Sequence, residues 1–72
     1  MKTEQLIIMA NQIGAFFKPY PDQEQAQKDI ARHINRHWAL GMRKQIALHV
    51  QEREGLGLEA IVIDAIRSHL KL

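Results

Sequence analysis

The chain has 72 residues and a formal net charge of +2; 46% of its residues are hydrophobic, 25% are charged and none is cysteine. That is the composition of one small globular domain covering residues 1–72, too apolar for disorder. Without a thiol, a disulfide scaffold, a thiolate zinc site, an iron–sulfur site and a cysteine nucleophile are excluded.

Helix one is expected from about Thr3, a candidate N-cap, to Phe17. Leu6, Met9, Ala10, Ile13 and Phe17 repeat there at the spacing of one helical face. The longest uninterrupted apolar run of the chain, the five residues Leu6–Ala10, lies in this segment. A membrane span needs about 20 such residues. Lys2 is followed by Thr3, Glu4 and Gln5, not by the long apolar region of a signal peptide. A soluble, cytoplasmic protein is the expectation.

Pro19 and Pro21 bracket Tyr20 and impose an extended turn, since each disfavours a helical residue before it. Pro21-Asp22 then opens helix two, which reaches about Trp38 with Ala26, Ile30, Ile34 and Trp38 inward. Gly41 marks the next turn. Helix three follows from Met42 to about Glu52, with Met42, Ile46 and Val50 on one side, and ends at Gly55 and Gly57. Helix four spans Leu58 to about Leu70. Its β-branched Val62, Ile63 and Ile66 make a strand the local competitor. The series Leu58, Ile61, Val62, Ala65, Ile66, His69 and Leu70 fits the helical period better. The expected fold is all-α, a small bundle of about four short helices.

Apolar residues also fall outside the predicted core. Ile8, Gln12 and Ala15 occupy the far side of helix one, Leu48 points away from the inner face of helix three, and the apolar arc of helix four spans roughly 200°. Either helix four is central and the scattered residues carry no meaning, or an apolar surface is reserved for a partner. At this size a core supplies only about 3–5 kcal/mol, which favours a partner or self-association.

Charge is unevenly placed. Between Ile30 and Gln51 lie Arg32, Arg36, Arg43 and Lys44 and no acidic residue, and Lys28, Arg32 and Arg36 recur every four residues. Such a stripe is a solvated face, or else a docking surface for acidic protein, phosphate or nucleic acid. His33 and His37 are one helical turn apart and His49 is a candidate third metal nitrogen. No companion carboxylate accompanies them, and His37 is placed on the apolar face as a buried imidazole. No metal site is expected.

Enzyme signatures are missing: there is no Gly-rich phosphate loop or nucleophile elbow. Glu52 and Glu54 sit in a charged helix end, and Ser68 and His69, as sequence neighbours, do not face each other. No catalytic or cofactor-binding residue is expected in this chain. Helix two, Gly41 and helix three do trace the outline of a helix-turn-helix, with Arg43, Lys44 and Gln45 opening the would-be recognition helix. A nucleic-acid-binding module is therefore the runner-up, although Ala47 and Leu48 interrupt that helix and the net charge is weak.

Over nearly its whole length, residues 4 to 70, the chain resembles the delta subunit of bacterial NAD-dependent formate dehydrogenases. The resemblance is carried by Met9-Ala10-Asn11-Gln12-Ile13-Gly14 with Phe16-Phe17, then Pro21, Ile30, His33 and Trp38. It continues through Met42-Arg43, Ile46, His49-Val50, Gly55, Gly57-Leu58, Val62 and Ala65-Ile66. Leu40 and Ala60 stand at turn or helix-start positions where that family's pattern has proline.

The resemblance implies a small cofactor-free component of a cytoplasmic molybdenum- or tungsten-containing complex. The other subunits of such a complex carry the molybdenum pterin cofactor, iron–sulfur clusters, FMN and the NAD site. It further implies a role in assembly, stability or cofactor loading through the large molybdenum-containing subunit, with self-association open to the free chain. Ile8, Asn11, Gln12, Arg32, Arg36, Trp38, Met42 and Arg43 are the candidate partner-binding residues. For Asn11 and Gln12 the alternative is a hydrogen bond from helix to loop within the domain. For Trp38 it is a place in the core, and for Arg43 a bridge to a carboxylate of the same chain.

Overall fold

A computed structural model describes all 72 residues. It contains four helices and no strand: α1 (Thr3–Phe17), α2 (Gln23–His37), α3 (Leu40–Arg53) and α4 (Ala60–His69). The strand competitor at Ala60–Ile63 loses because this segment packs against all three other helices. Its wide apolar arc puts Ile61, Val62, Ala65 and Ile66 in the core, leaving no large apolar side chain of α4 exposed. Helix four is central, and its breadth of apolar surface serves the fold.

Leu6, Ile30, Ile34, Ile46 and Val62 are the largest fully buried side chains, with Ala10, Ala26, Ala31 and Ala65 filling the gaps between helices. Each large side chain contributes about 1.5–3 kcal/mol by leaving water. Gly14 sets the α1–α4 distance. A Cβ built on it would lie 2.5 Å from Val62 Cγ2, inside van der Waals contact. The glycine is therefore there for close approach.

Helix ends follow local chemistry. Asp22 caps α2 by accepting from the Gln25 N–H at 3.1 Å, and Gln23 Nε2 ties down the proline corner through the carbonyls of Tyr20 (2.8 Å) and Lys18 (3.0 Å). Thr3 is not the cap of α1. The cap position falls on Lys2, whose N–H donates to Gln5 Oε1 at 3.3 Å, while the Thr3 hydroxyl accepts from Gln45 Nε2 at 3.0 Å. Gly41 does not mark the turn either. Trp38 and Ala39 make the connection in extended conformation, so no left-handed residue is needed, and Gly41 lies in the first turn of α3. At the far end of α3 the backbone does turn left-handed, at Glu54 (φ 57°), Gly55 (φ 71°) and Gly57 (φ 91°).

Two asparagines brace α4, one at each end. Asn11 of α1 donates from Nδ2 to the Gly57 carbonyl and accepts from the Glu59 N–H at Oδ1, both at 2.9 Å. Asn35 of α2 donates to the His69 carbonyl (3.2 Å) and accepts from the Lys71 N–H (2.8 Å). Each amide uses both halves on backbone groups at a helix end or in the segment just beyond it, the Glu59 N–H and the His69 carbonyl being groups that the helix itself leaves unpaired. Asn11→Ala should cost about 1–2 kcal/mol, one net hydrogen bond for each half, read as a lower midpoint in urea unfolding.

The two positions where proline was expected are Leu40 and Ala60, the first residues of α3 and α4. Proline fits a first helical position, whose N–H has no helical acceptor. The preceding residues, Ala39 (φ −60°, ψ 153°) and Glu59 (φ −64°, ψ 148°), already hold the conformation that proline demands of its neighbour. Ala60→Pro should raise stability by about 0.4–1 kcal/mol through the unfolded chain's lost freedom, measured by thermal unfolding.

Candidate partner-binding surface

From Gln5 to Phe17 helix α1 carries no charged residue, although only one side of it is buried. Past the exposed Glu4 of the first turn, its outer side consists of the uncharged Gln5, Ile8, Gln12, Ala15 and Phe16. Ile8 is 58% exposed and Phe16 70%. Phe16 continues into an edge-to-face aromatic row with Phe17 and Tyr20, at centroid distances of 5.0 and 5.4 Å. Solvated helix faces normally carry charge, because apolar surface in water costs free energy in proportion to area. The charge-free outer side of α1 is the most unusual surface of the domain.

This face passes without a break onto α2. Met9, Gln12 and Ile13 share a shallow groove with His33, His37, Trp38 and Met42. His33 and His37 form the opposite wall, their ring centroids 4.6 Å apart. Both are exposed, which corrects the expectation of a buried His37. Near the end of α2 one residue fills the inner position beyond Ile34, and the larger, more apolar Trp38 takes it. Trp38 is 5% exposed and belongs to the core. Met42 is half-buried beside it. His49 does not join the histidine pair, because its Nε2–H donates to the Leu56 carbonyl at 2.8 Å. No three His, Asp or Glu side chains are arranged to hold a metal ion.

Beyond the histidines, Arg32 and Arg36 stand outward and face a second groove lined by Lys28, Asn35, Arg43, His69 and Lys71. The stripe Lys28–Arg32–Arg36 was readable from its four-residue spacing. The convergence of Arg43, His69 and Lys71 on it was not. Arg43 bridges no carboxylate: its Nη1 donates to the Lys71 carbonyl at 2.7 Å, and its Nε is enclosed without a partner. Gln45 is also engaged within the domain, donating to the Met1 carbonyl (2.8 Å) and to Thr3. Two of the three residues that would open a recognition helix are thus tied to other segments, and Lys44 alone stays free. Of the two candidate amides on α1, Asn11 is spent on the loop before α4, and Gln12 remains exposed.

A third apolar area lies between α1 and α3, where Leu48 (51% exposed) and Leu56 (74%) flank the half-buried Ile7. Leu48 was expected outside the core. Leu56 and Phe16 were missed, and their signal was an apolar side chain between two glycines and one at the end of an uncharged helix.

The architecture is that of a small all-α bundle whose most unusual chemistry lies on its outer surface. The chain belongs to the NADH-dependent formate dehydrogenase delta subunit family, FdsD, whose profile matches residues 5–66. No curated protein and no solved structure matches it. No helix is long and apolar enough to cross a membrane.

Proposed function

We propose that this chain is a non-catalytic, cofactor-free accessory subunit of a cytoplasmic molybdenum- or tungsten-containing NAD-dependent formate dehydrogenase. It binds the large molybdenum-containing subunit and supports assembly, stability or cofactor loading. The observation that carries this reading is the charge-free outer side of α1, in a chain whose family is a subunit of that enzyme. Ile8 and Gln12 make contact there, together with Phe16. Arg32 and Arg36 extend the contact onto α2. Trp38 and Met42 form the floor of the groove between them, while Asn11 holds the loop before α4 and Arg43 the segment after it.

The molybdenum pterin, iron–sulfur clusters, FMN and NAD site belong to the other subunits. In the absence of its partner, the same apolar face would bring two copies of the chain together. Deleting the chain's coding sequence tests the role. NAD-dependent formate oxidation in cell extract should fall, and should return with the wild-type chain supplied in trans. Activity unchanged by the deletion contradicts an assembly or loading role.

A further inference from the structure

The groove between α2, the start of α3 and the segment after α4 is lined by Lys28, Arg32, Arg36, Arg43 and Lys71, together with Ala31, Asn35 and His69. Five formal positive charges thus meet in one concavity with no carboxylate in its lining. The two acidic residues at its rim are already engaged: Asp29 with Gln25 Nε2 (3.0 Å) and Arg32 (3.7 Å), and Glu24 with His69 (3.3 Å). Lys28, Arg36, Arg43 and Lys71 have no ion-pair partner in the chain.

Like charges gathered this way repel one another in the free domain. Arg43 is nonetheless fixed there by the Lys71 carbonyl, and the chain around Lys71 is fixed by Asn35. The groove is therefore held open in advance, a condition that lowers the ordering cost of binding.

We infer that this groove receives an acidic polypeptide segment, rich in Asp and Glu, from the partner subunit. The inference rests on the accessory-subunit reading and adds the chemistry of what is bound. Arg32 and Arg36 are one helical turn apart, about 6 Å, which is close to the spacing of carboxylates on alternate residues of an extended strand. Guanidinium groups match carboxylates through paired hydrogen bonds.

A nucleic-acid strand fits less well. Among the lining residues no Phe, Tyr or Trp is present on which a base could stack, and the one aromatic ring, His69, is engaged with Glu24. The surface continuing from the groove is the uncharged side of α1 rather than a further basic track. A polypeptide uses both: its acidic stretch lies in the groove and its apolar residues against Ile8 and Phe16.

The test titrates the full chain onto a fluorescent Glu-Ser repeat peptide, its Gln-Ser counterpart and an oligothymidylate of equal charge, read by anisotropy. The Glu-Ser peptide should bind in a salt-sensitive manner and the Gln-Ser peptide should not. The double variant Arg32→Gln/Arg36→Gln should weaken binding about tenfold or more. The variant Arg53→Gln/Arg67→Gln, which removes the same charge outside the groove, should change it by less than about twofold.

Three results overturn the inference: no saturable Glu-Ser binding, equal losses in the two double variants, or tighter binding of the oligothymidylate. The accessory-subunit reading is separated by capture of the large subunit on tagged chain. If the wild-type chain captures nothing while the peptide data hold, that reading fails and the acidic-segment groove stands. If Arg32→Gln/Arg36→Gln captures the subunit as well as wild type does and no peptide binds, the groove inference alone fails.

Discussion

Gly14→Ala should destabilise the domain by about 2 kcal/mol, because a single methyl group is forced into the α1–α4 contact. The new Cβ would lie 2.5 Å from Val62 Cγ2, and Val62 is fully buried. Its β-branched side chain has little rotamer freedom with which to turn away inside a helix. Overpacking of this kind costs about 1–3 kcal/mol, here at the upper end because both helices are also held by packing against α2 and α3. Alanine returns about 1 kcal/mol through its better helix propensity. For a domain of this length the net loss corresponds to a fall in melting temperature of about 8–16 °C, measured by circular dichroism. Val62→Ala in the same background separates cause from effect. The double variant should lose less than the sum of the two single variants by about 1 kcal/mol or more. Additive losses, or a neutral Gly14→Ala, would show that the close approach does not constrain the fold.

On the proposed docking side the largest effect is expected from Ile8→Glu. Ile8 is more than half exposed, so a carboxylate there stays hydrated in the free domain and the helical circular dichroism signal should be unchanged. Against a partner the same carboxylate is buried without a counter-charge, a change that costs about 3–5 kcal/mol. Association with the large subunit should therefore weaken about 100-fold or more, measured by quantitative capture on tagged chain. Ala15→Ser, a small neutral change on the same side, should be nearly silent. Unchanged capture by Ile8→Glu would remove the middle of α1 from the interface.

How far the fold was legible depended on whether neighbours in sequence decide the outcome. The bounds of α1 follow from apolar residues at helical spacing and from the proline pair after Phe17, both local signals. The left-handed turn after α3 follows from Gly55 and Gly57. Gly41 misled because a glycine near a helix start resembles a breaker, yet the α2–α3 connection is made by the extended residues Trp38 and Ala39. His37 misled because its angular position suits the core, but Trp38 competes for the same space and gains more by burial. The uses of Asn35, Arg43 and Gln45 were out of reach, and for Asn11 a helix-to-loop bond was legible only as an alternative without its partners, since each bonds to groups 28 to 48 residues away. Those pairings exist only once the helices have packed.

The candidate surface divides in the same way. Ile8, Gln12 and the arginine stripe were visible as residues facing away from the core. Trp38 was legible as an inner position of α2, whereas the closing of the stripe into a groove by Arg43 and Lys71, and the partners of Asn11, depend on where α4 and the segments flanking it settle. The candidate residues that remain outward form one continuous area from α1 across His33 and His37 to Arg32 and Arg36.

Co-purification tests the central claim most directly. Affinity-tagged chain, expressed with the untagged subunits of its formate dehydrogenase, should co-elute with the large molybdenum-containing subunit through gel filtration, and Ile8→Glu should abolish that co-elution while remaining helical and monodisperse. Wild-type chain that elutes alone, well folded and free of the large subunit, would contradict it.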